Sequence, residues 1–478
     1  MSFYNDSTTC QNQQPYGGAT AGKMLGGSGS INHMIHVPAF LADYILWAKA
    51  ANDSSWSYDA LIEYFTKSET VTDEGVLAQN STPHGTCGPL KIKKQESSLT
   101  ADLIAGLEEL GVPYKNDTEG TCVVQPLLAI NNGLRQCGNV AYLSKLIDNE
   151  NVTFLTSAIA NRVIFNGTKA VGVEFQYNGT TYQVLANSRT IIAAGALNTP
   201  KILMQSGVGD NDTLTGLGIN TTVHNPEVGQ NLMDHPAGVV AFSWSANTTT
   251  TSAADPFEWP VPMVTFYDAL NQSQNQPDIQ YIMLVFPPNS NGLLQLCGTG
   301  FKYLNWICDT WYEKNINSYV VFIVANLLHP NSRGCTSLNT TDTTSDPITK
   351  LGLYSNDTDL DTIATLMHRT IEPLLNSTAL QSLGAEFVDL GICTEHTRFS
   401  QSYWKCYALA MSSTMWHYAG TCMMGKVVDG NLSVMGTTKL SVVDASVFPA
   451  LPSGNIGSTV VAVAEKGADI IKTQDGLY

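Results

Sequence analysis

Along residues 57–69, SYDALIEYFTKSE, the apolar positions Leu61, Ile62, Tyr64 and Phe65 recur at helical spacing, and the stretch predicts an amphipathic helix. DYILWAKAAND, just before it, predicts another. From 152 to 185 the pattern changes to strand-like alternation. VTFLTSAIANRVIF and AVGVEFQYNG, separated by the turn NGTK, predict a meander of two or three strands. RTIIAAGALNTPKILMQSGVG then predicts a strand-turn-helix unit: TIIAA is a short buried strand, Gly195 the turn, Asn198 and Pro200 open a helix and Gly207 closes it. A second unit of this grammar stands near the end. There KLSVVDASVFPA supplies strand and turn, and SGNIGSTVVAVAEKGADIIK a helix that starts just after Asn455. Between about 240 and 410 the apolar runs QYIMLVF and YVVFIVANLL predict strands of a separate sheet.

At 478 residues the chain exceeds one ordinary core, so two domains built from interleaved segments are expected. With 24 Lys+Arg against 41 Asp+Glu, the formal charge of -17 argues against nucleic acid or an anionic membrane as partner, and it disfavours acidic substrates. No run approaches 18 uninterrupted apolar residues, so no membrane span is expected. Fifteen Asn-x-Ser/Thr sequons, Asn80, Asn116, Asn151, Asn247 and Asn376 among them, fit a secreted glycoprotein, or arise by chance in an Asn- and Thr-rich chain. The ten cysteines show no C-x-x-C spacing, which favours disulfides over zinc; Cys297 with Cys308 and Cys393 with Cys406 are the local pairs expected. Yet the opening MSFYNDSTTCQNQQ has neither a positive nor an apolar region and is not a signal peptide. Either the sequons are idle or the chain lacks its true beginning.

Four glycine-bearing segments follow one another over almost the whole chain: GKMLGGSGSINHM, TIIAAGALNTPKILMQSGVG, EVGQNLMDHP, and WHYAGTCMMG through VVDASVFPALPSGN. One glycine loop is weak, because glycine most often marks a turn with positive φ. The set, together with HGTCGPLKI, QPDIQY and HPNSRGCTSL, resembles the glucose-methanol-choline (GMC) family of FAD-dependent oxidoreductases over about residues 17–472. The stretch from CTEHTRFSQSYWKCYALA to the WHYAGT motif is most similar to arthropod-type, glucose dehydrogenase-like members. The resemblance implies an α/β fold. An FAD-binding domain would be made of 1–45, 150–238 and 412–478, a substrate domain on an antiparallel sheet of 239–411, with 46–149 bridging the two. The G-x-G-x-x-G strand-loop-helix that relatives carry upstream does not occur in the 478 residues. That departure puts FAD affinity in question, and an incomplete N-terminus is the expectation that explains it together with the missing signal peptide.

The resemblance also assigns roles. Gly26, Gly27, Ser28 and Asn32 would lie against the flavin and its pyrophosphate, where glycine lets the backbone approach closely. Ile31 stands where some relatives have a covalently linked histidine, so the FAD is expected to be non-covalent. Asp444, Ala445 and Ser446 would touch the ribityl and phosphate region, and Asn455 and Ile456 would bring a helix N-terminus to the flavin's pyrimidine edge. His417 would be the base that takes the alcohol proton as hydride leaves for the flavin. Asn455 would hydrogen-bond the substrate oxygen; it also stands where an N-cap for the helix 456–471 belongs. Asp234 and His235 are expected to be architectural. His33, His36 and His84 show no metal spacing, no G-x-S-x-G elbow is present, and Met411, Met415, Met423 and Met424 read as core or pocket lining. The expected reaction is oxidation of a small alcohol with oxygen or a quinone as final acceptor. A hydroxynitrile lyase of the same fold, or a flavin-free glycoprotein, are the alternatives.

Overall fold

The computed structural model describes residues 19–37, 40–79, 83–245 and 261–477; the polar lead-in, Cys10 and the sequons at Asn80 and Asn247 lie outside them. Helices α1 (Asp43–Ala51) and α2 (Tyr58–Ser68) form where the helical spacing predicts them. Leu61 and Phe65 are buried on the inner face of α2. Trp47 and Trp56 are fully buried, and their indole N–H groups donate to the carbonyls of Ala450 and Gly430 at 3.1 and 2.8 Å. Two aromatics thereby tie this early hairpin to the end of the chain, each burial contributing about 1.5–3 kcal/mol.

The meander has three antiparallel strands, β1 (Ala158–Asn166), β2 (Lys169–Tyr177) and β3 (Thr180–Leu185). Strand β4 (Thr190–Ile192) leads into α3 (Gly195–Gln205) through Gly195, whose φ of 80° is open to glycine and costly to other residues. The helix therefore starts ahead of Asn198, and Pro200 lies inside it rather than at its opening. Proline has no N–H for the carbonyl four residues back. That carbonyl, of Ala196, accepts the Thr421 hydroxyl at 2.5 Å instead. The start of α3 is capped from across the chain as well: Asp444 Oδ2 accepts from the Gly195 N–H at 2.9 Å and from the Thr199 hydroxyl at 2.5 Å.

The middle of the chain builds one large antiparallel sheet from β5 (Pro236–Ser245), β6 (Met263–Asp268), β7 (Ile279–Phe286) and β8 (Ser318–Leu327). Its spatial order is Glu386–Phe387, β5, β8, β7, β6, Cys122–Val124, with Ser412–Thr414 pairing the start of β5. All residues of β6 and β7 are buried, which is why the β7 stretch reads as an apolar run rather than an alternating one. Helix α4 (Asp357–Leu375) packs on β8, and α5 (Gln401–Ala410) packs on β5 and on α4. Both expected disulfides, Cys297–Cys308 and Cys393–Cys406, are formed here. Last come β9 (Leu440–Val442), which pairs in parallel with β4, and α6 (Gly457–Asp475), which packs on α2. No helix of the described residues is long and apolar enough to cross a membrane.

Two main cores result. One fills the large sheet and its helices; the other joins α1, α2, α3, β9 and α6. The chain passes between them twice in company: Met233 belongs to the second core and Ala237 to the first, while Met415 belongs to the first and Ala419 to the second. Residues 234–236 and 416–418 lie in these crossings.

Candidate active site

The two crossings are stitched together by backbone bonds. Met233 and Ala419 exchange N–H···O bonds of 2.9 and 3.0 Å, and Pro236 and Ala237 face Thr414 and Ser413. Between these pairs Trp416 adopts φ 59°, an uncommon left-handed conformation that re-aims the next side chain. Asp234 holds this turn. Its Oδ1 accepts the backbone N–H of His417 at 2.9 Å, its Oδ2 accepts the Thr414 hydroxyl, and Thr414 Oγ accepts the Trp416 N–H at 2.8 Å. Burial pushes the Asp234 carboxyl up to about 7, against the pull of those donors.

The His417 ring is thereby buried between the cores. Its Nδ1 lies 2.8 Å from Nδ1 of His235, and its Nε2 lies 3.4 Å from Nδ2 of Asn455. Burial, helped by the charge of His33, lowers His417 to about 3, and burial likewise holds the fully buried His235 well below its ordinary value. Both rings are therefore neutral imidazoles near neutral pH.

Asn455 reaches His417 from the turn before α6. Asp43 fixes that turn, accepting the Ser453 N–H at 2.7 Å, the Ser453 hydroxyl at 2.6 Å and Gln276 Nε2 at 2.8 Å. Gly454 follows with φ 139°, and a Cβ on it would stand 2.9 Å from Val37 Cγ1. Only glycine fits there. The N-cap of α6 is Ile456, without a side-chain cap, so Asn455 does not fill the N-cap role expected for it. Its amide is used between Gln280, whose Nε2 donates to Asn455 Oδ1 at 3.2 Å, and His417. Gln280 and Asn326, both fully buried in the large sheet, were invisible as site residues; a polar residue inside an apolar strand run is the signal that finds them.

The glycine loop arrives beside the same helix start. Asn32 is exposed, with its Oδ1 accepting from the Met34 N–H at 3.0 Å and from Arg135 Nη1 at 2.7 Å, and its Nδ2 is 3.8 Å from where a Cβ on Gly457 would sit. Among the described residues Gly27 has open space above its Cα, and the Ser28 hydroxyl accepts the Gly22 N–H at 3.0 Å. His33, next to Asn32, is lowered to about 4 by burial and by Arg135. Asp444 and Ala445 sit at the start of α3. Both Asp444 oxygens are taken by protein donors, Gly195, Thr199 and the Ser446 N–H, so its carboxylate is a helix cap; the Ala445 carbonyl accepts the Gly420 N–H at 3.1 Å, three residues beyond His417. The structure thus brings His417, Asn455, Ile456 and Asn32 to one helix terminus, with Gly26, Gly27 and Ser28 along the loop beside it.

An uncapped N-terminus of a 19-residue helix, open space over Gly27 and an adjoining amide make a donor-rich slot suited to the electron-rich edge of a flat polar ring. These residues fit the isoalloxazine end of FAD. Metal chemistry has less to offer: of the acidic and soft groups Glu395, His396 and Cys406, the last is already in a disulfide.

Comparison with known proteins agrees. Two GMC oxidoreductase family models match residues 4–237 and 330–464. Ecdysone oxidase of Bombyx mori is 33% identical over 94% of this chain and 70% of its own length, and mitochondrial choline dehydrogenase of Homo sapiens is 28% identical over 96% and 76%. Among solved structures, a formate oxidase variant of Aspergillus oryzae, determined to follow FAD modification, superposes with a TM-score of 0.79 at 25% identity, covering 96% of this chain and 85% of that one. Pyridoxine 4-oxidase from Mesorbium loti superposes with a TM-score of 0.75 at 24% identity over 94% and 84%. The chain belongs to the GMC oxidoreductases, an FAD-dependent family of enzymes that act on alcohol-type substrates.

Proposed function

We propose that the protein oxidises a small alcohol, with Nε2 of His417 taking the hydroxyl proton and Asn455 holding the substrate oxygen. Bound FAD, held without a covalent link, supplies the hydride acceptor. The observation that carries this reading is a neutral, buried imidazole with one nitrogen turned to a side-chain amide beside a donor-rich helix start. Being neutral down to about pH 3, His417 stands ready as a base throughout the working range. The low affinity for protons that burial imposes is offset as hydride departs, because the oxygen of the forming carbonyl loses its proton far more readily than an alcohol does. Ile31 offers no nucleophile to the cofactor, in keeping with non-covalent binding. Reoxidation by oxygen or a quinone completes the turnover. The two disulfides and the sequons support an extracellular setting.

The test is alcohol-dependent reduction of an artificial electron acceptor by FAD-loaded protein, across primary, secondary and aromatic alcohols. His417→Ala is expected to lower kcat by roughly 10²-fold or more and to leave the flavin absorbance in place. Wild-type turnover in that variant overturns the assignment. So does release of aldehyde and cyanide from a cyanohydrin without acceptor reduction.

A further inference from the structure

For His417 to act as base at Nε2, neutrality is not enough, because the single proton of an imidazole can sit on either nitrogen. Two hydrogen-bond systems meet at this ring, and one tautomer accommodates both. On the Nε2 side, Asn326 Nδ2 donates to Gln280 Oε1 at 3.1 Å. That leaves Gln280 Nε2 to donate to the Tyr267 hydroxyl at 2.7 Å and to Asn455 Oδ1 at 3.2 Å. With its oxygen engaged, Asn455 presents Nδ2 to His417 Nε2. With the three amides oriented in this way Asn455 Nδ2 donates, Nε2 is a lone pair and the ring proton is on Nδ1.

On the other side, Nδ1 of His417 meets Nδ1 of His235 at 2.8 Å, the rings perpendicular with centroids 5.0 Å apart. Two nitrogens at that distance share one proton. If His417 supplies it, His235 accepts at Nδ1 and carries its own proton on Nε2. The backbone carbonyls of Leu328 and Pro452 lie near enough to favour a proton on the His235 ring, without closing to a full hydrogen bond at Nε2. Asp234, the neighbouring carboxylate, cannot play this part because its oxygens are spent on the His417 backbone N–H and the Thr414 hydroxyl.

We propose that His235 is a positioning residue for the reaction: its Nδ1 lone pair holds the His417 proton on Nδ1, keeps Nε2 free for the substrate hydroxyl, and accepts a shortened hydrogen bond from His417 once that ring is protonated. This rests on His417 being the base. A neutral imidazole here takes the place of the carboxylate that orients the base histidine in a serine-protease triad.

The tautomer is read directly by two-bond ¹⁵N–¹H correlation spectra of FAD-loaded, ¹⁵N-histidine-labelled protein at pH 7, with His417→Gln used to assign the signals. The expected wild-type pattern is a protonated Nδ1 and an unprotonated Nε2 at His417. His235→Phe, which fills the space without an acceptor, is expected to mix the two tautomers and lower kcat roughly 10²-fold, with KM for the alcohol and the flavin absorbance little changed. His235→Gln, whose side-chain oxygen can accept, should restore the wild-type tautomer and recover most of kcat. A wild-type Nε2–H pattern overturns the inference, and so does a His235→Phe protein with wild-type tautomer and rate. Should His417→Ala retain activity while the Nδ1–H pattern is found, the base assignment fails and the role of His235 in setting the tautomer stands.

Discussion

Asn455 is aimed only as well as the amide behind it. Among the described residues Gln280 is the one donor to Asn455 Oδ1, and it is held in turn by Asn326 and Tyr267. A carboxylate at this position has no N–H to give. Gln280→Glu is therefore expected to turn the Asn455 amide over, present its oxygen to His417 Nε2, and lower kcat by about tenfold or more. Gln280→Met leaves the Asn326 Nδ2 and Asn455 Oδ1 groups without partners, and urea unfolding should report a loss of roughly 1–3 kcal/mol. Unchanged kinetics in Gln280→Glu would show that Asn455 does not depend on this link. At this scale the sequence spoke through its motifs: His417 and Asn455 sit in stretches whose residue order is itself distinctive. Gln280, Asn326 and the direct contact of His235 were not legible, because their roles arise from strands that neighbour one another only after β5, β7 and β8 pair.

Elements that make their own contacts were legible from local pattern, as α2, the β1–β3 meander and the buried runs of β7 and β8 show. Pairings and caps completed from a distance were not. The parallel pair of β4 and β9 joins two three-residue strands separated by most of the chain, and nothing in either strand specifies the other. The start of α3 was misread for the same reason, its cap being Asp444 and its interior carbonyl being satisfied by Thr421 rather than by any residue nearby. This arrangement carries a test. Thr421 is fully buried, so Thr421→Val leaves the Ala196 carbonyl with no partner in place of its missing helix bond. A loss of roughly 1–3 kcal/mol in chemical unfolding is expected, with Thr421→Ser close to wild type because it keeps the hydroxyl. Equal stability of the valine and serine variants would mean that the Ala196 carbonyl needs no donor.

For the whole molecule, placing the site between two cores has a cost that pH reveals. His417 and His235 are lowered by burial, His417 to about 3 from 6.5 and His235 well below 6.5. His33 is lowered to about 4 in the same way, so below pH 6.5 the unfolded chain binds three protons that the folded chain refuses, and these groups take stability away as pH falls toward 4. Asp234 works in the opposite sense. Burial raises it from 3.8 to about 7, so between those values the folded chain holds a proton that the unfolded chain has released, and this group favours folding as pH falls. Three histidines against Asp234 leave a net uptake of protons on unfolding, and stability should decline as pH falls from about 6 to 5. His84 governs the alkaline side: burial opposes its charge, but hydrogen bonds to Asp117 and Glu69 raise it to about 10, so its contribution is complete below 6.5 and is lost as pH climbs through 10. The curve is thus a dome with its top near neutrality. Replacing His235 with Phe removes one of the three acid-side protons and leaves His417 and His33 opposed to Asp234. Urea titrations at intervals from pH 5 to 6 should then give a line for that variant shallower than the wild type by about 1.4 kcal/mol per pH unit; parallel lines would mean that His235 is not held neutral by the fold.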